Sequence, residues 1–208
     1  MTRDEALTAI AAQLGLKAKE LIRHANRDDL GGDDNKMGSW INGISWAVEG
    51  QILYALVRSL KPERILEIGT NYGGSATHMG MGCYDNKIGH ITSIDINAAS
   101  GSHIPDQLRE WITVVIEDAN LYVVKPEVKD FDFIFEDGNH SKHQVHVIYE
   151  NLHKLLKPGG IIISHDAAVE GVGEYIRYGI EAAGHPYPPM YVVEPSPCGF
   201  TVMRRNTL

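Results

Sequence analysis

The sequence predicts an α/β protein: a doubly wound, mostly parallel seven-stranded sheet that ends in a C-terminal antiparallel hairpin and follows an N-terminal helical extension. Three observations carry this expectation. From Arg64 onward, short runs that are apolar on both faces alternate with helix-like runs, the pattern of a parallel sheet covered by helices on both sides. The rhythm breaks only near the end, where MYVVEP and GFTVMRR are separated by the short turn SPC and suit an antiparallel pair. At 208 residues, with 43% hydrophobic and 22% charged side chains, the chain fills one domain with a continuous core.

Taken in order, Ala6 to Ala25 places Ala, Leu and Ile on one helical stripe and reads as a helix. The polar, glycine-rich stretch RDDLGGDDNKMGS follows as a linker where a lid would hinge. Residues 1–45 are thus expected to be a helical extension or lid, and residues 46–208 the main domain. A helix from about Trp46 to Ser59 leads to Pro62 and the first strand, RILEIG. The alternation then runs ILEIG, with a helix from about Ser75; HITSIDI, with a short helix near Pro105 to Glu110; ITVVIED; FDFIFED, with the helix HQVHVIYENLHKLL; and GGIIISHD, with the helix GVGEYIRYGIEAA.

The formal net charge of −8 argues against a nucleic-acid backbone as the main partner. A small neutral or cationic molecule is easier to accommodate. The N-terminus alternates charged and apolar residues and has no uninterrupted apolar core of the signal-peptide kind, and no run is long enough to span a bilayer. Cys83 and Cys198 lack metal-type spacing and cannot form a disulfide framework. A reducing cytoplasm is the expected setting.

Ligands of an open α/β sheet bind where strands end and helices begin, and the first such crossing is LEIGTNYGGSAT, within Arg64 to Thr77. Gly69, Gly73 and Gly74 allow a sharp turn and close approach of backbone to ligand. Asp95, 22 residues after Gly73 at the end of HITSID, is placed to accept hydrogen bonds from a ribose diol. Asp118, followed by Ala119, ends ITVVIED and would meet an adenine. A dinucleotide site wants G-x-G-x-x-G so that pyrophosphate rests on the helix N-terminus; this loop does not fit that pattern. Acidic Glu67 would repel phosphate but suit the cationic amino-acid end of S-adenosylmethionine. The expected cofactor contacts are Glu67, Gly69, Thr70, Asn71, Tyr72, Gly73, Ser75, Asp95, Asp118, Ala119 and Asp137. Either feature alone, a glycine turn or a strand-end acid, is commonplace; their order at successive strand ends is what points to a nucleotide.

LEIGTNYGGSA resembles the E-x-G-x-x-x-G-x-S loop of the cation-dependent O-methyltransferases of catechol and caffeoyl-CoA type, and AVEGQILYAL resembles their segment before the first strand. DGNH and HDAA resemble signatures of the macrocin O-methyltransferase and cephalosporin-hydroxylase-like group of the same superfamily, the Rossmann-like, class I methyltransferases. The resemblance runs from about Trp46 to the C-terminus. It implies S-adenosylmethionine, a divalent cation such as magnesium or manganese, and a homodimer formed through the N-terminal helices.

Methyl transfer from a sulfonium to oxygen is a single displacement, so the protein must align two atoms and help remove the hydroxyl proton. Asp137 in FEDGNH and Asp166 in SHDAA follow apolar strands and should open onto one crevice. Laid over the cation-dependent family, Asp137 takes the first ligand position, His140 the position of the lysine base, and His165 with Asp166 the Asp-Asn ligand pair. A neutral imidazole at pH 7, with an unperturbed pKa of about 6.5, is a reasonable base. The exchange of Asp-Asn for His165-Asp166 leaves the ion held differently, held by a softer metal, or absent. His165 also reads as a partner that orients Asp166, and strand alternation should point Glu136 away from Asp137. Trp40, Trp46 and Tyr72 would wall a substrate pocket, with Tyr187, Tyr191 and PYPPMY forming a stiff rim.

Three readings follow: a cation-assisted O-methyltransferase of a small hydroxylated molecule in natural-product biosynthesis; a metal-independent methyltransferase with a histidine base; and a non-catalytic module that keeps the cofactor fold. The acceptor itself is not readable, because loops of this kind vary freely on a fixed scaffold.

Overall fold

The computed structural model describes residues 1–26, 46–183, 192–193 and 198–207. The linker 27–39, Trp40, Tyr187 and Tyr191 lie outside the described residues, as does the Trp46 side chain. Two helices, α1 (Arg3–Leu14) and α2 (Ala18–Ala25), replace the single N-terminal helix expected from Ala6 to Ala25. The break follows from Gly15, which closes α1 in the left-handed region at φ 64 with its N–H on the Ala11 and Ala12 carbonyls, an arrangement that glycine tolerates and that turns the chain. At the other end Thr2 caps α1 in a reciprocal box with Glu5.

Beyond α2 come α3 (Trp46–Leu60), β1 (Arg64–Ile68), α4 (Gly74–Asn86), β2 (His90–Asp95), a 3-10 turn (Asp106–Leu108), β3 (Ile112–Ile116), α5 (Ala119–Val123), β4 (Phe131–Glu136), α6 (Lys142–Glu150), α7 (Leu152–Leu155), β5 (Leu156–His165), α8 (Val172–Ala183), β6 (Val192–Val193) and β7 (Phe200–Arg204). Three expectations need correction. Only the 3-10 turn stands where a helix near Pro105 to Glu110 was expected. The unanticipated helix α5 follows β3, started by Asp118, whose side chain accepts from the Asn120 N–H at 2.8 Å. The run HQVHVIYENLHKLL is divided at Asn151 into α6 and α7. Among the described residues, no helix is long and apolar enough to cross a membrane.

The sheet order is β3-β2-β1-β4-β5-β7-β6, with β1 to β5 parallel and β7 antiparallel to both β5 and β6. Strand alternation divides the interior in two. Ile65, Phe133, Phe135 and Ile163 pack on one face against α1 to α4, while Leu66, Ile68, Ile134 and Ile162 pack on the other against Val145, Ile148, Tyr149 and Ile176. The N-terminal helices belong to the first core: Leu7, Ile10 and Leu14 are fully buried in the cluster that holds Ile52 and Leu56 of α3. Arg3 fastens them, donating to Gln51 Oε1 at 2.7 Å and to the Ala25 carbonyl at 3.2 Å.

The chain builds outward from β1 to β2 and β3, then returns to the other side of β1 for β4, so the strand order reverses between β1 and β4. At this switch point the two outgoing loops diverge and leave a crevice. Gly69 is where they first cross. Its φ is 94°, and a Cβ there would lie 1.9 Å from the Asp137 carbonyl oxygen.

Two pairs of substitutions test this architecture. Ile10→Ala is expected to lower unfolding stability by about 2–5 kcal/mol, whereas Leu121→Ala, exposed on α5, stays within about 0.5 kcal/mol; equal small effects in urea titrations would mean that α1 is not core. Gly15→Ala meets nothing within 4 Å and carries only its backbone strain, about 1–3 kcal/mol. Gly69→Ala must also displace the β4 loop, and a cost no larger than that of Gly15→Ala would refute the crossing.

Candidate active site

The crevice beyond β1 to β4 is a cleft of about 320 Å³ that brings together Gly69, Asn71, Asp95, Asp118, Ala119 and Asp137. All six are among the eleven expected cofactor contacts. Sequence reasoning missed Gly138, Asn139 and Gln144, which complete the wall; Gln144 holds that turn by accepting from the Asn139 N–H at 2.7 Å. A larger concavity of about 580 Å³ is lined only by residues of the segment from Ser102 to Arg109, away from any strand end.

Asp95 organises the rim as well as lining it. Its Oδ2 accepts from the Asn71 N–H at 2.8 Å and its Oδ1 from the Asn97 N–H at 2.9 Å. The first of these bonds holds Asn71 at φ 46, a left-handed position that asparagine adopts more readily than most residues. Gly73 starts α4 at φ 96 against Ile104. Tyr72 is exposed and stacks on His103 with ring centroids 4.9 Å apart.

Glu67, Thr70 and Ser75 sit lower than expected. All three are buried, and Glu67 accepts hydrogen bonds from the hydroxyls of Ser75 and Ser93, while Thr70 Oγ1 and Ser93 Oγ are 2.6 Å apart. Burial pushes the Glu67 carboxyl up to about 8, against the lowering effect of the two serines. Glu67 therefore supports the glycine loop from beneath and does not face the cleft, which corrects its expected contact with a cationic cofactor end. The reason is strand parity: Glu67 points to the same face as Ile65, into the core.

Beside the cleft lies an acidic centre. His165 Nδ1 is 3.0 Å from Asp137 Oδ1 and 3.1 Å from Asp166 Oδ1, and its Nε2 is 3.1 Å from Glu49 Oε1. His140 Nδ1 is 3.1 Å from Asp166 Oδ2, and its Nε2 is 3.6 Å from Glu136 Oε1. His140 and Asp166 both hold positive φ, 50° and 58°, a strain that clusters at functional sites. Burial alone would lower the His165 imidazole, but the hydrogen bonds and charges of Asp137 and Glu49 outweigh it and push it up to about 11. Burial raises the carboxyl of Glu136, and also that of Asp137 in spite of the His165 hydrogen bond.

The expected metal set Asp137, His165 and Asp166 does converge, yet both His165 nitrogens face carboxylates, so the ring is occupied as their partner. Two other groups bring donor atoms within 4.8 Å of one another: Asp137 with His140 and Asp166, and His165 with Asp166 and Cys198. In the second group the Cys198 thiol is raised by burial and by Asp166, which disfavours the thiolate a metal requires. The first group, with two carboxylates that converge at a strand edge, fits a divalent cation. Glu49 was missed by sequence reasoning, although an acid inside the apolar run WAVEGQILYAL was a visible signal.

Residues 66–167 match a family model described as a methyltransferase domain, and no curated protein matches the chain. Three solved structures share the fold. An O-methyltransferase from Bacillus cereus in complex with SAH is 21% identical with a TM-score of 0.62, over 94% of this chain and 91% of that one. The SAH-bound Podospora anserina methyltransferase PaMTH1 is 18% identical with a TM-score of 0.58, over 90% and 88%. The O-methyltransferase TomG from Streptomyces achromogenes, in complex with SAM, is 21% identical with a TM-score of 0.57, over 97% and 90%. The matched segment runs from within β1 to the loop after β5, the very strand ends that build the cleft, and the fold around it is the one these methyltransferases share.

Proposed function

We propose that the chain is an O-methyltransferase that acts on a small hydroxylated acceptor with the help of a divalent cation, magnesium or manganese. The observation that carries this reading is the double membership of Asp137, which lines the cleft and also touches His165 in the acidic centre at 3.0 Å. A methyl donor in the cleft and a hydroxyl at the acidic centre would then meet at one residue. The fold likeness to TomG, named for its part in tomaymycin synthesis, supports a natural-product acceptor.

The chemistry asks for little covalent work and much alignment. Gly69 and Asn71 would offer backbone to the cofactor, Asp95 would accept from its ribose, and Asp118 and Ala119 would line the place of its adenine. Asp137 and Asp166 would hold the cation, which lowers the pKa of a hydroxyl bound to it. His140, held through Nδ1 by Asp166, would serve as the base that takes up the hydroxyl proton. Bound S-adenosylmethionine would supply the methyl group to that oxygen, its carbon–sulfur bond breaking to leave S-adenosylhomocysteine.

Calorimetric titration with S-adenosylmethionine, with and without magnesium or manganese, tests the reading in wild type, Asp137→Ala and Asp166→Ala. Wild type is expected to bind both cofactor and ion. Asp166→Ala, outside the cleft lining, keeps cofactor affinity and loses at least about tenfold in ion affinity. Asp137→Ala weakens both. Cofactor binding without any ion would remove the cation from the proposal; absence of cofactor binding would defeat the proposal entirely.

A further inference from the structure

Apart from the strand-end motifs, one buried acid reaches the centre from the opposite side of the core. Glu49 belongs to α3, outside the segment from β1 to β5 that builds the cleft, and is 3% exposed. It places Oε1 3.1 Å from His165 Nε2, and the far nitrogen of the same ring lies 3.0 Å from Asp137 and 3.1 Å from Asp166. The imidazole has little freedom to turn. Phe135 meets it edge-on at 6.3 Å between ring centroids, and Phe200 packs against it at 5.5 Å. An acid in such surroundings is costly unless it is paired, and its pairing fixes the direction of the ring.

We propose that Glu49 and His165 form a positioning pair, in which the α3 carboxylate sets the His165 ring and the ring sets the carboxylates of Asp137 and Asp166 for cation binding. This rests on the cation-assisted reading above. It gives His165 a role different from the metal ligand that resemblance assigned to it, and brings into the site a helix that the glycine loop and strand-end acids do not include. Partners of this kind, one bond removed from the ligands, typically change ion affinity about 10- to 100-fold when lost.

The test measures Mn²⁺ binding by the electron paramagnetic resonance of the free ion, together with S-adenosylmethionine affinity by calorimetry. It uses full-length wild type, Glu49→Ala, Glu49→Gln, His165→Gln and the double variant Glu49→Ala/His165→Gln. The pair predicts that Glu49→Ala weakens Mn²⁺ binding about 10- to 100-fold while cofactor affinity is kept. Glu49→Gln, whose amide oxygen still accepts from the ring, recovers most of that loss. Because Glu49 acts only through His165, the double variant is no weaker than His165→Gln alone. Should Glu49→Ala fail to fold, the Glu49→Gln and His165→Gln measurements carry the same comparison, since Gln at 49 must stay near wild type while Gln at 165 does not. Wild-type Mn²⁺ affinity in Glu49→Ala would overturn the pair and leave the cation reading standing. Glu49→Gln as damaging as His165→Gln, or additive loss in the double variant, would also overturn it, because both point to Glu49 touching the ion itself. Wild type that binds cofactor but no Mn²⁺ would overturn the cation reading and the pair with it.

Discussion

The site depends on the close passage of two loops at the reversal of strand order. Gly69 leaves β1 with its N–H on the Ile94 carbonyl at 2.9 Å, and Asp137 leaves β4 with its N–H on the Ile68 carbonyl at 2.8 Å. These bonds extend the parallel ladders by one residue on each side of β1. With no side chain at Gly69, the backbone of one loop rests against the carbonyl of the other. Any larger residue would part the strand ends, and the cleft, the glycine loop and the acidic centre would lose their common frame. Asp137 stands at this crossing, which is why one side chain belongs to both the cleft and the centre.

Beneath the crossing, Glu67 ties three elements together. Ser75 lies in the first turn of α4, Ser93 in β2 and Glu67 in β1, so the buried hydroxyl and carboxyl groups link the helix to two neighbouring strands. Fully satisfied polar networks of this kind specify one arrangement of a core, whereas partly satisfied ones weaken it. Burial favours the neutral carboxylic acid, and a neutral Glu67 neither repels nor attracts a charged ligand at long range. Its effect on the cofactor is then mechanical, through the height and tilt of the glycine loop.

Period-two and period-3.6 patterns made most of this fold legible. RILEIG, HITSID and FDFIFE gave their strands because each is apolar on both faces, and the order of Gly69, Asp95, Asp118 and Asp137 at successive strand ends gave the cleft. The break at Gly15 was present in the sequence, but helical apolar spacing continues across it into α2 and masked it. Helix α5 is five residues long, too short for a periodic signal, and is announced only by the cap at Asp118. The side-chain level was harder. Whether Glu67 faces a ligand or a core depends on strand parity at its position, and the meeting of Glu49 with His165 depends on how α3 lies across the sheet. A resemblance confined to local motifs carries neither. It also assigned His165 to an ion without registering that a buried carboxylate stood on the ring's other side.

Charge balance bears on what the acidic centre holds. Glu49, Glu136, Asp137 and Asp166 surround His140 and His165 within 3.6 Å contacts, so even with a proton on each nitrogen of both rings two negative charges remain. Burying them uncompensated is expensive, and burial shifts the carboxyls of Glu136 and Asp137 upward, toward the neutral form that lowers the charge. A divalent cation would offset that charge without the added protons. On the proposed reading, cation and protons therefore compete for one deficit, so loading the centre releases protons and cation affinity falls as the solution becomes more acidic. The Glu49–His165 contact enters this balance on the protein's side. It pairs one acid with a ring that cannot leave, and so lowers the charge that an ion at the centre must balance.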